Sequence, residues 1–219
     1  MKRILCYGDS NTWGFDPVNV DPNTLQPCRY SEKIRWTGVL QEQLGEAYRV
    51  WEAGLCGRTT AFEDPLMPIR SGTEYFEMVL QTCDPVDCII FALGTNDTKD
   101  MFSASDLVIT RAMERLLQVC RCAVSQSRSI GAKIILACPL KPVADAQGAY
   151  GYGFSELSTE KGEQLRWRYR DLAERTGCAY IDLNDLAVPS CADGVHLDVE
   201  GHAAIGIAMA QLVKKVLAD

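Results

Sequence analysis

Five short apolar runs rich in β-branched and aromatic residues recur along the chain, and the stretches between them are long enough for crossover helices. The runs cover residues 3–7, 48–53, 86–93, 132–138 and 178–183. Residues 88–93 are apolar at every position, which is typical of a strand that is buried on both faces. The pattern therefore predicts a parallel sheet with helices on both sides.

The segments between the runs carry apolar residues at helical spacing. The spacing predicts helices over residues 36–44, 73–82, 104–127 and 156–175, and a last helix over residues 203–217. This alternation predicts an α/β fold, a three-layer α/β/α sandwich around a five-stranded parallel sheet, and we expect residues 1–219 to form one domain. Residues 15–33 and 140–154 fit neither period, and we expect irregular loops there, at the end of the sheet where ligands bind.

Charge and hydropathy exclude several classes of protein. The chain carries 22 Lys and Arg against 29 Asp and Glu, a net charge of −7, with no basic block, so a nucleic-acid partner is not expected. The first apolar run ends at Gly8-Asp9, before it could form a signal-peptide core. Charged residues interrupt the other runs well short of membrane-spanning length. We therefore expect a cytoplasmic protein with no membrane partner.

The ten cysteines do not indicate a disulfide framework. Cys6, Cys88 and Cys138 lie singly inside strand-like runs, where cysteine behaves as a small buried hydrophobe. No CxxC pair is present, and the CxC at Cys120 and Cys122 has no histidine near it. The sequence therefore predicts reduced thiols, no metal site and no cofactor.

Four polar clusters follow predicted strand ends, where open parallel sheets bind their ligands. They are residues 8–14, 54–60, 94–97 and 193–196. Together they supply a hydroxyl, glycines with backbone N–H groups, a side-chain amide, a carboxylate and an imidazole, which are the components of an acyl-transfer site. Asp9 and Asp97, inside these clusters, are expected to hold neighbouring backbone N–H groups.

A serine hydroxyl needs an adjacent base at neutral pH, and the chain has two histidines, His196 and His202. His196 follows Asp193 by three residues, so one short loop can deliver a carboxylate and an imidazole to the same pocket. His202 lies at the start of the last predicted helix, where we expect a capping or surface role. The sequence therefore predicts Ser10, His196 and Asp193 as nucleophile, base and orienting carboxylate.

In order and over essentially the whole chain, the clusters resemble the four sequence blocks of the GDSL-type esterases, also called the SGNH hydrolase superfamily. Residues 2–6, 13–14, 35–40, 58–60 and 93–99 resemble its bacterial arylesterase and acyltransferase branch. The resemblance implies a flavodoxin-like sheet and an oxyanion hole formed by the N–H groups of Ser10 and Gly57 and the amide of Asn96. Gly54 is then expected to serve the turn after the second strand. Asn11 replaces the Leu of the nominal Gly-Asp-Ser-Leu, at a position that tolerates change.

The resemblance also implies a serine esterase that hydrolyses short-chain, acetyl-like esters through an acyl-Ser10 intermediate and transfers acyl groups to alcohols. A carbohydrate deacetylase, a thioesterase or a lysophospholipase with the same triad stays open. A nucleotide- or phosphate-binding module is the non-catalytic alternative, although the chain lacks its glycine-rich phosphate loop. Trp13 is expected either to line the substrate pocket or to pack in the core or at a subunit contact. Residues 15–33 are expected to cover the site or to build a homo-oligomer interface, and a small-molecule ester is the expected partner.

Overall fold

Within residues 1–24 and 26–218, the part of the chain that the computed structural model describes, the backbone forms seven strands in two sheets. The strands are β1 (Lys2–Gly8), β2 (Phe15–Val20), β3 (Pro27–Arg29), β4 (Tyr48–Gly54), β5 (Cys88–Ala92), β6 (Lys133–Cys138) and β7 (Ala179–Asp182). The main sheet has the order β4-β1-β5-β6-β7, and all its pairs are parallel. The predicted five-stranded parallel sheet is confirmed.

Helices alternate with these strands. They are α1 (Ser10–Trp13), α2 (Trp36–Leu44), α3 (Gly72–Cys83), α4 (Asp106–Ser125), α5 (Glu156–Thr176) and α6 (Val199–Ala218), with short 3-10 helices at Asn96–Thr98, Asp100–Phe102 and Leu183–Asp185. The five predicted helices form as α2 to α6, although α6 begins at Val199, four residues earlier than expected. In the described part of the chain, no helix combines the length and the apolar character needed to cross a bilayer.

Both faces of the main sheet are apolar, because successive side chains of its strands point to opposite sides. On β1, Ile4 and Cys6 pack with α2 and α6, whereas Leu5 and Tyr7 pack with α3, α4 and α5. β5 and β6 repeat this alternation. The predicted three-layer sandwich is therefore confirmed. The ten cysteines of the chain are all free thiols.

The stretch 15–33 is more regular than expected, because it contains the antiparallel pair β2–β3. Phe15 pairs with Arg29, and Val20 pairs with Pro27. Proline has no N–H to donate to a neighbouring strand and is therefore rare inside strands. For this reason Pro17 and Pro27 argued against strands in this stretch. Residues 140–154 form neither helix nor strand, as expected.

The strand order brings three chain segments together at one edge of the main sheet. β1 lies between β4 and β5, so the segments that follow these strands emerge side by side. In doubly wound sheets, ligands bind at the carboxyl ends of the strands, at the point where the strand order reverses. Three of the four predicted clusters therefore lie next to one another.

The role expected of His202, capping its own helix or lying at the surface, is wrong. It lies inside α6, its side chain is fully buried, and the ring of Tyr30 contacts it edge-on. Arg35 is the N-cap residue of α2, but its side chain does not accept a hydrogen bond from the first turn of the helix. The Trp36 N–H donates to His202 Nδ1 instead, at 3.2 Å. Burial lowers the pKa of His202 to about 4, so the ring is neutral at physiological pH.

Replacing His202 with Gln, which still offers an acceptor but does not titrate, should change the pH dependence of stability. A histidine with a folded pKa of about 4 and an unfolded pKa near 6.5 disfavours the folded state as the pH falls between these values. The loss amounts to at most on the order of 3 kcal/mol. The free energy of unfolding of the wild type, relative to His202→Gln, should therefore decrease from pH 7 to pH 4 in urea titrations. If the free energies of unfolding of the wild type and His202→Gln changed equally with pH, this account would be contradicted.

Candidate active site

Ser10 is the first residue of the four-residue helix α1, directly after β1 and Asp9. Asp9 accepts a hydrogen bond from the Asn11 N–H at 3.0 Å and so caps the helix, which confirms its expected structural role. Burial raises the pKa of Asp9 to about 7, and the Asn11 N–H partly opposes that rise. Gly14 ends the helix with a φ of 89°, in the left-handed region that favours glycine. The short helix holds Ser10 at the edge of the sheet with 6% of its surface exposed.

The structure brings Ser10, His196 and Asp193 into one hydrogen-bonded row. Ser10 Oγ lies 2.9 Å from His196 Nε2, and His196 Nδ1 lies 2.6 Å from Asp193 Oδ2. Asp193 Oδ1 accepts hydrogen bonds from the N–H groups of Val195 and His196, both at 2.9 Å. Burial alone would raise the pKa of Asp193, but the hydrogen bonds from His196 and from these backbone groups outweigh burial and lower it. An ionised Asp193 is suited to orient the imidazole.

The loop that carries Asp193 and His196 depends on a glycine between them. Gly194 has a φ of 69°, and a Cβ at this position would lie 2.0 Å from the carbonyl oxygen of Val143. The Val143 N–H donates to Gly194 O at 2.8 Å, and the Ser190 N–H donates to His196 O at 2.7 Å. Glycine is therefore required both by the backbone conformation and by the close approach of the 140–154 segment.

The predicted oxyanion-hole residues lie on the three adjacent segments that follow β4, β1 and β5. Asn96 Nδ2 donates to the carbonyl of Arg58 at 3.1 Å, which places the amide against the residue that follows Gly57. Gly57 has a φ of 80°. Among residues 1–24 and 26–218, no acceptor is found for the N–H of Gly57 or for that of Ser10. The oxyanion hole formed by these two N–H groups and the amide of Asn96 stays a prediction.

Asp97 fastens the loop after β5 to the segment after β4. Its carboxylate accepts hydrogen bonds from the Thr60 N–H at 2.9 and 3.1 Å and from the Thr60 hydroxyl. Burial raises the pKa of Asp97 to about 6, and the two Thr60 donors oppose that rise. The expected role of Asp97, holding a neighbouring backbone N–H, is confirmed.

Arg58 joins the ends of two adjacent strands. Its Nη1 donates to the carbonyl of Gly8, at the end of β1, at 2.8 Å and also to the carbonyl of Ala53 in β4. The guanidinium lies over the ring of Tyr7, 4.1 Å from its centroid, where a cation–π interaction adds to the hydrogen bonds. The buried side chain thereby fixes the direction in which the chain leaves β4 toward Gly57.

Gly54 is required for close packing, and its φ lies outside the left-handed region, so the turn expected there does not itself need a glycine. It is the last residue of β4, and a Cβ there would lie 2.2 Å from the backbone nitrogen of Trp13 and 2.6 Å from the carbonyl carbon of Thr12. The backbone of α1 therefore rests directly on β4, and a side chain at position 54 would push α1 and Ser10 away from the sheet.

Two aromatic side chains that sequence reasoning missed contact the imidazole of His196. The ring of Phe15 stacks on it, with centroids 3.8 Å apart and planes inclined by 16°. Tyr152 meets the imidazole edge-on, with centroids 5.6 Å apart. Burial and the nearby Asp193 carboxylate raise the pKa of Tyr152. Phe15 lies just after α1 in the sequence, but nothing in the sequence pairs it with a residue near the other end of the chain.

Trp13 is half-buried at the end of α1, under the β2–β3 hairpin. The guanidinium of Arg29, from β3, lies 5.2 Å from the Trp13 ring centroid, and Arg29 Nε donates to the Trp13 carbonyl at 2.6 Å. A role of Trp13 in the substrate pocket stays a prediction. Over the described residues, no group of three or more His, Cys, Asp or Glu side chains is arranged to hold a metal ion.

The family model of GDSL-like lipases and acylhydrolases matches residues 6–204, which include Ser10, Asn96, Asp193 and His196. The chain belongs to the GDSL-like lipase/acylhydrolase family. No match was found among curated proteins. The family assignment identifies the chain as a carboxylic ester hydrolase and decides against the non-catalytic binding module.

Solved structures of esterases are similar to this hydrolase over its whole length. The native aryl esterase of M. smegmatis is 32% identical, with a TM-score of 0.88, and the match covers 99% of this chain and 100% of that chain. A carbohydrate acetylesterase from Sinorhizobium meliloti is 30% identical, with a TM-score of 0.85 and coverage of 98% and 99%. A carbohydrate acetylesterase family member from the same organism is 34% identical, with a TM-score of 0.88 and full coverage of both chains.

Replacing Phe15 with Leu should slow ester hydrolysis by this enzyme. Leu keeps an apolar contact but removes the ring that stacks on His196, an interaction worth about 0.5–1.5 kcal/mol. We expect kcat to fall about two- to tenfold, with a smaller change in KM, in steady-state assays with p-nitrophenyl acetate. Phe102→Leu is the control, because Phe102 packs on Phe62 instead. An equal loss in both variants would show that the stack has no specific effect.

Proposed function

We propose that this enzyme is a serine esterase that hydrolyses esters of short, acetyl-like acids through an acyl-Ser10 intermediate. The observation that carries the proposal is the row of hydrogen bonds from Ser10 Oγ through His196 to Asp193, at 2.9 and 2.6 Å. A hydroxyl with a neutral imidazole at this distance can give up its proton as it attacks a carbonyl carbon. This chemistry uses no cofactor, and its ligand is a small-molecule ester.

In the first step, Ser10 Oγ attacks the acyl carbon of the ester and its proton passes to His196 Nε2. Negative charge develops on the carbonyl oxygen, where the N–H groups of Ser10 and Gly57 and the amide of Asn96 stabilise it. Each such donor contributes about 3 kcal/mol to transition-state stabilisation. Asp193 stabilises the imidazolium. The imidazolium then protonates the departing alkoxide, so the alcohol leaves and the acyl group stays on Ser10.

In the second step, a water molecule attacks the acyl carbon and transfers a proton to His196 Nε2. The bond to Ser10 Oγ breaks, Ser10 recovers its proton from the imidazolium, and the carboxylic acid is released. An alcohol can take the place of this water along the same proton path, and the product is then a new ester. Acyl transfer to alcohols is therefore part of the proposal as a side reaction.

Burial of the reacting groups favours a small acyl group. The exposed fractions of Ser10, Asn96 and His196 are 6%, 5% and 4%, and Phe15 covers one face of the imidazole. A long acyl chain would need a groove leading to Ser10 Oγ. Two of the similar enzymes are described as an aryl esterase and a carbohydrate acetylesterase, which supports acetate as the acid and either a phenol or a sugar as the leaving alcohol.

Replacing Ser10 with Ala should abolish both hydrolysis of p-nitrophenyl acetate and covalent labelling by a fluorophosphonate, because no other residue would carry the acyl or phosphonyl group. Mass spectrometry of the labelled wild type should locate the adduct on the peptide that contains Ser10. A fully active or fully labelled Ser10→Ala protein would refute the proposal.

An acyl-chain and leaving-group panel should separate the candidate substrates. We expect kcat/KM to be highest for acetyl esters and to fall steeply from butyryl to octanoyl esters of p-nitrophenol, because the buried serine leaves little room. Acetylated sugars compared with phenyl acetate would then decide the leaving group. Preference for long acyl chains, or for acyl thioesters over acetyl esters, would instead support a lysophospholipase or a thioesterase.

A further inference from the structure

The side chain of Asn11 bridges the backbone on both sides of His196. Its Nδ2 donates to the carbonyl of Val195 at 3.3 Å, and its Oδ1 accepts from the N–H of Leu197 at 2.9 Å. One carboxamide therefore holds the residue before His196 and the residue after it. A leucine, the residue that the family's nominal motif has here, can make neither hydrogen bond.

Asn11 is itself tied to the nucleophile, because it is the next residue of α1 and its N–H donates to the Asp9 carboxylate at 3.0 Å. A closed chain of contacts results. It runs from Ser10 to Asn11 through the backbone, from Asn11 to the backbone around His196 through the carboxamide, and from His196 Nε2 back to Ser10 Oγ at 2.9 Å.

The other bonds of this loop fix its shape but do not attach it to the nucleophile helix. Asp193 bonds to residues of its own loop, and the Val143 N–H links Gly194 to the 140–154 segment. In residues 1–24 and 26–218, the hydrogen bonds that join α1 to residues 193–198 are the two made by Asn11 and the contact between Ser10 and His196.

We propose that Asn11 is a positioning residue, which sets the distance of the His196 imidazole from Ser10 Oγ by anchoring the backbone on either side of it. This inference rests on the proposed roles of Ser10 and His196. It differs from the expectation that position 11 tolerates change, and the experiment below tests the two against each other. Because proton transfer depends on this distance, displacement of the imidazole by about 1 Å can slow the reaction by about a hundredfold.

The test compares Asn11→Leu with the wild type in three measurements. The second-order rate constant for labelling of Ser10 by a fluorophosphonate should fall about ten- to a hundredfold. For p-nitrophenyl acetate, kcat should fall by a similar factor, while KM should stay within about threefold, because the carboxamide binds the enzyme's own backbone.

The third measurement does not depend on activity. The chain contains two histidines, so a protein with 15N-labelled histidine gives two sets of ring signals in NMR spectra. In Asn11→Leu, the signals of His196 should shift or broaden. Those of the buried His202, which reports on the packing of α6 against α2, should keep their wild-type positions.

Asn184 provides a matched control. Its carboxamide makes the same kind of bridge, donating to the Pro139 carbonyl and accepting from the Lys141 N–H, both at 3.0 Å, with no bond to the triad. Asn184→Leu therefore loses this pair of bonds and a third bond, from Asn184 Nδ2 to Asp182 Oδ1 at 2.8 Å, so it is at least as severe a change as Asn11→Leu. We expect its labelling rate to stay within about threefold of the wild type, because the bridge that it loses does not hold His196.

A wild-type labelling rate and unchanged His196 signals in Asn11→Leu would overturn the proposal, as would an equal loss of rate in Asn184→Leu. If Asn11→Leu does not fold, Asn11→Asp replaces it, since this isosteric variant keeps the acceptor for Leu197 and loses the donor to Val195. Its labelling rate should fall at least threefold, and an unchanged rate would refute the proposal. A wild type that fails to label would instead refute the proposed function, while the His196 signals would still test the anchor.

Discussion

The active site depends on the Arg58 guanidinium, which donates to backbone carbonyls of two neighbouring strands, those of Gly8 in β1 and Ala53 in β4. Burying a backbone carbonyl without a donor is costly, and the Gly8 carbonyl at the end of β1 accepts from both the Leu55 N–H at 3.1 Å and Arg58 Nη1 at 2.8 Å. Arg58 meets this requirement from inside the loop that also carries Gly57. The same contact that satisfies the strand ends therefore sets the course of the loop beside Ser10.

The remaining polar contacts extend this arrangement outward. Asn96 donates to the carbonyl of Arg58, and Asp97 accepts from Thr60, so the loop after β5 is attached to the loop that Arg58 has fixed. Burial raises the pKa values of Asp9 and Asp97 toward neutrality, to about 7 and about 6. These rises reflect the cost of burying the two carboxyl groups, which the hydrogen bonds from the Asn11 N–H and from Thr60 partly offset.

Much of the fold could be predicted, because buried strands such as Cys88–Ala92 need apolar residues on both faces and this requirement is visible in the sequence. Ser10, Asp193 and His196 could be singled out because the chain has two histidines, one of which follows an aspartate by three residues. Whether these residues catalyse the reaction remains a prediction. The stack of Phe15 on His196 and the acceptor role of His202 could not be predicted, because each partner lies far away in the sequence.

The contact between Ser10 and His196 joins residues that are 186 positions apart, and Asn11 bonds to the same distant loop. On the ribosome, β1 and α1 emerge early, whereas the histidine follows only after every strand of the main sheet has been made. The serine of a nascent chain therefore has no base beside it. On the proposed mechanism, the hydroxyl of Ser10 becomes reactive only when the last part of the fold docks, so an incomplete or truncated chain would hold an unreactive serine.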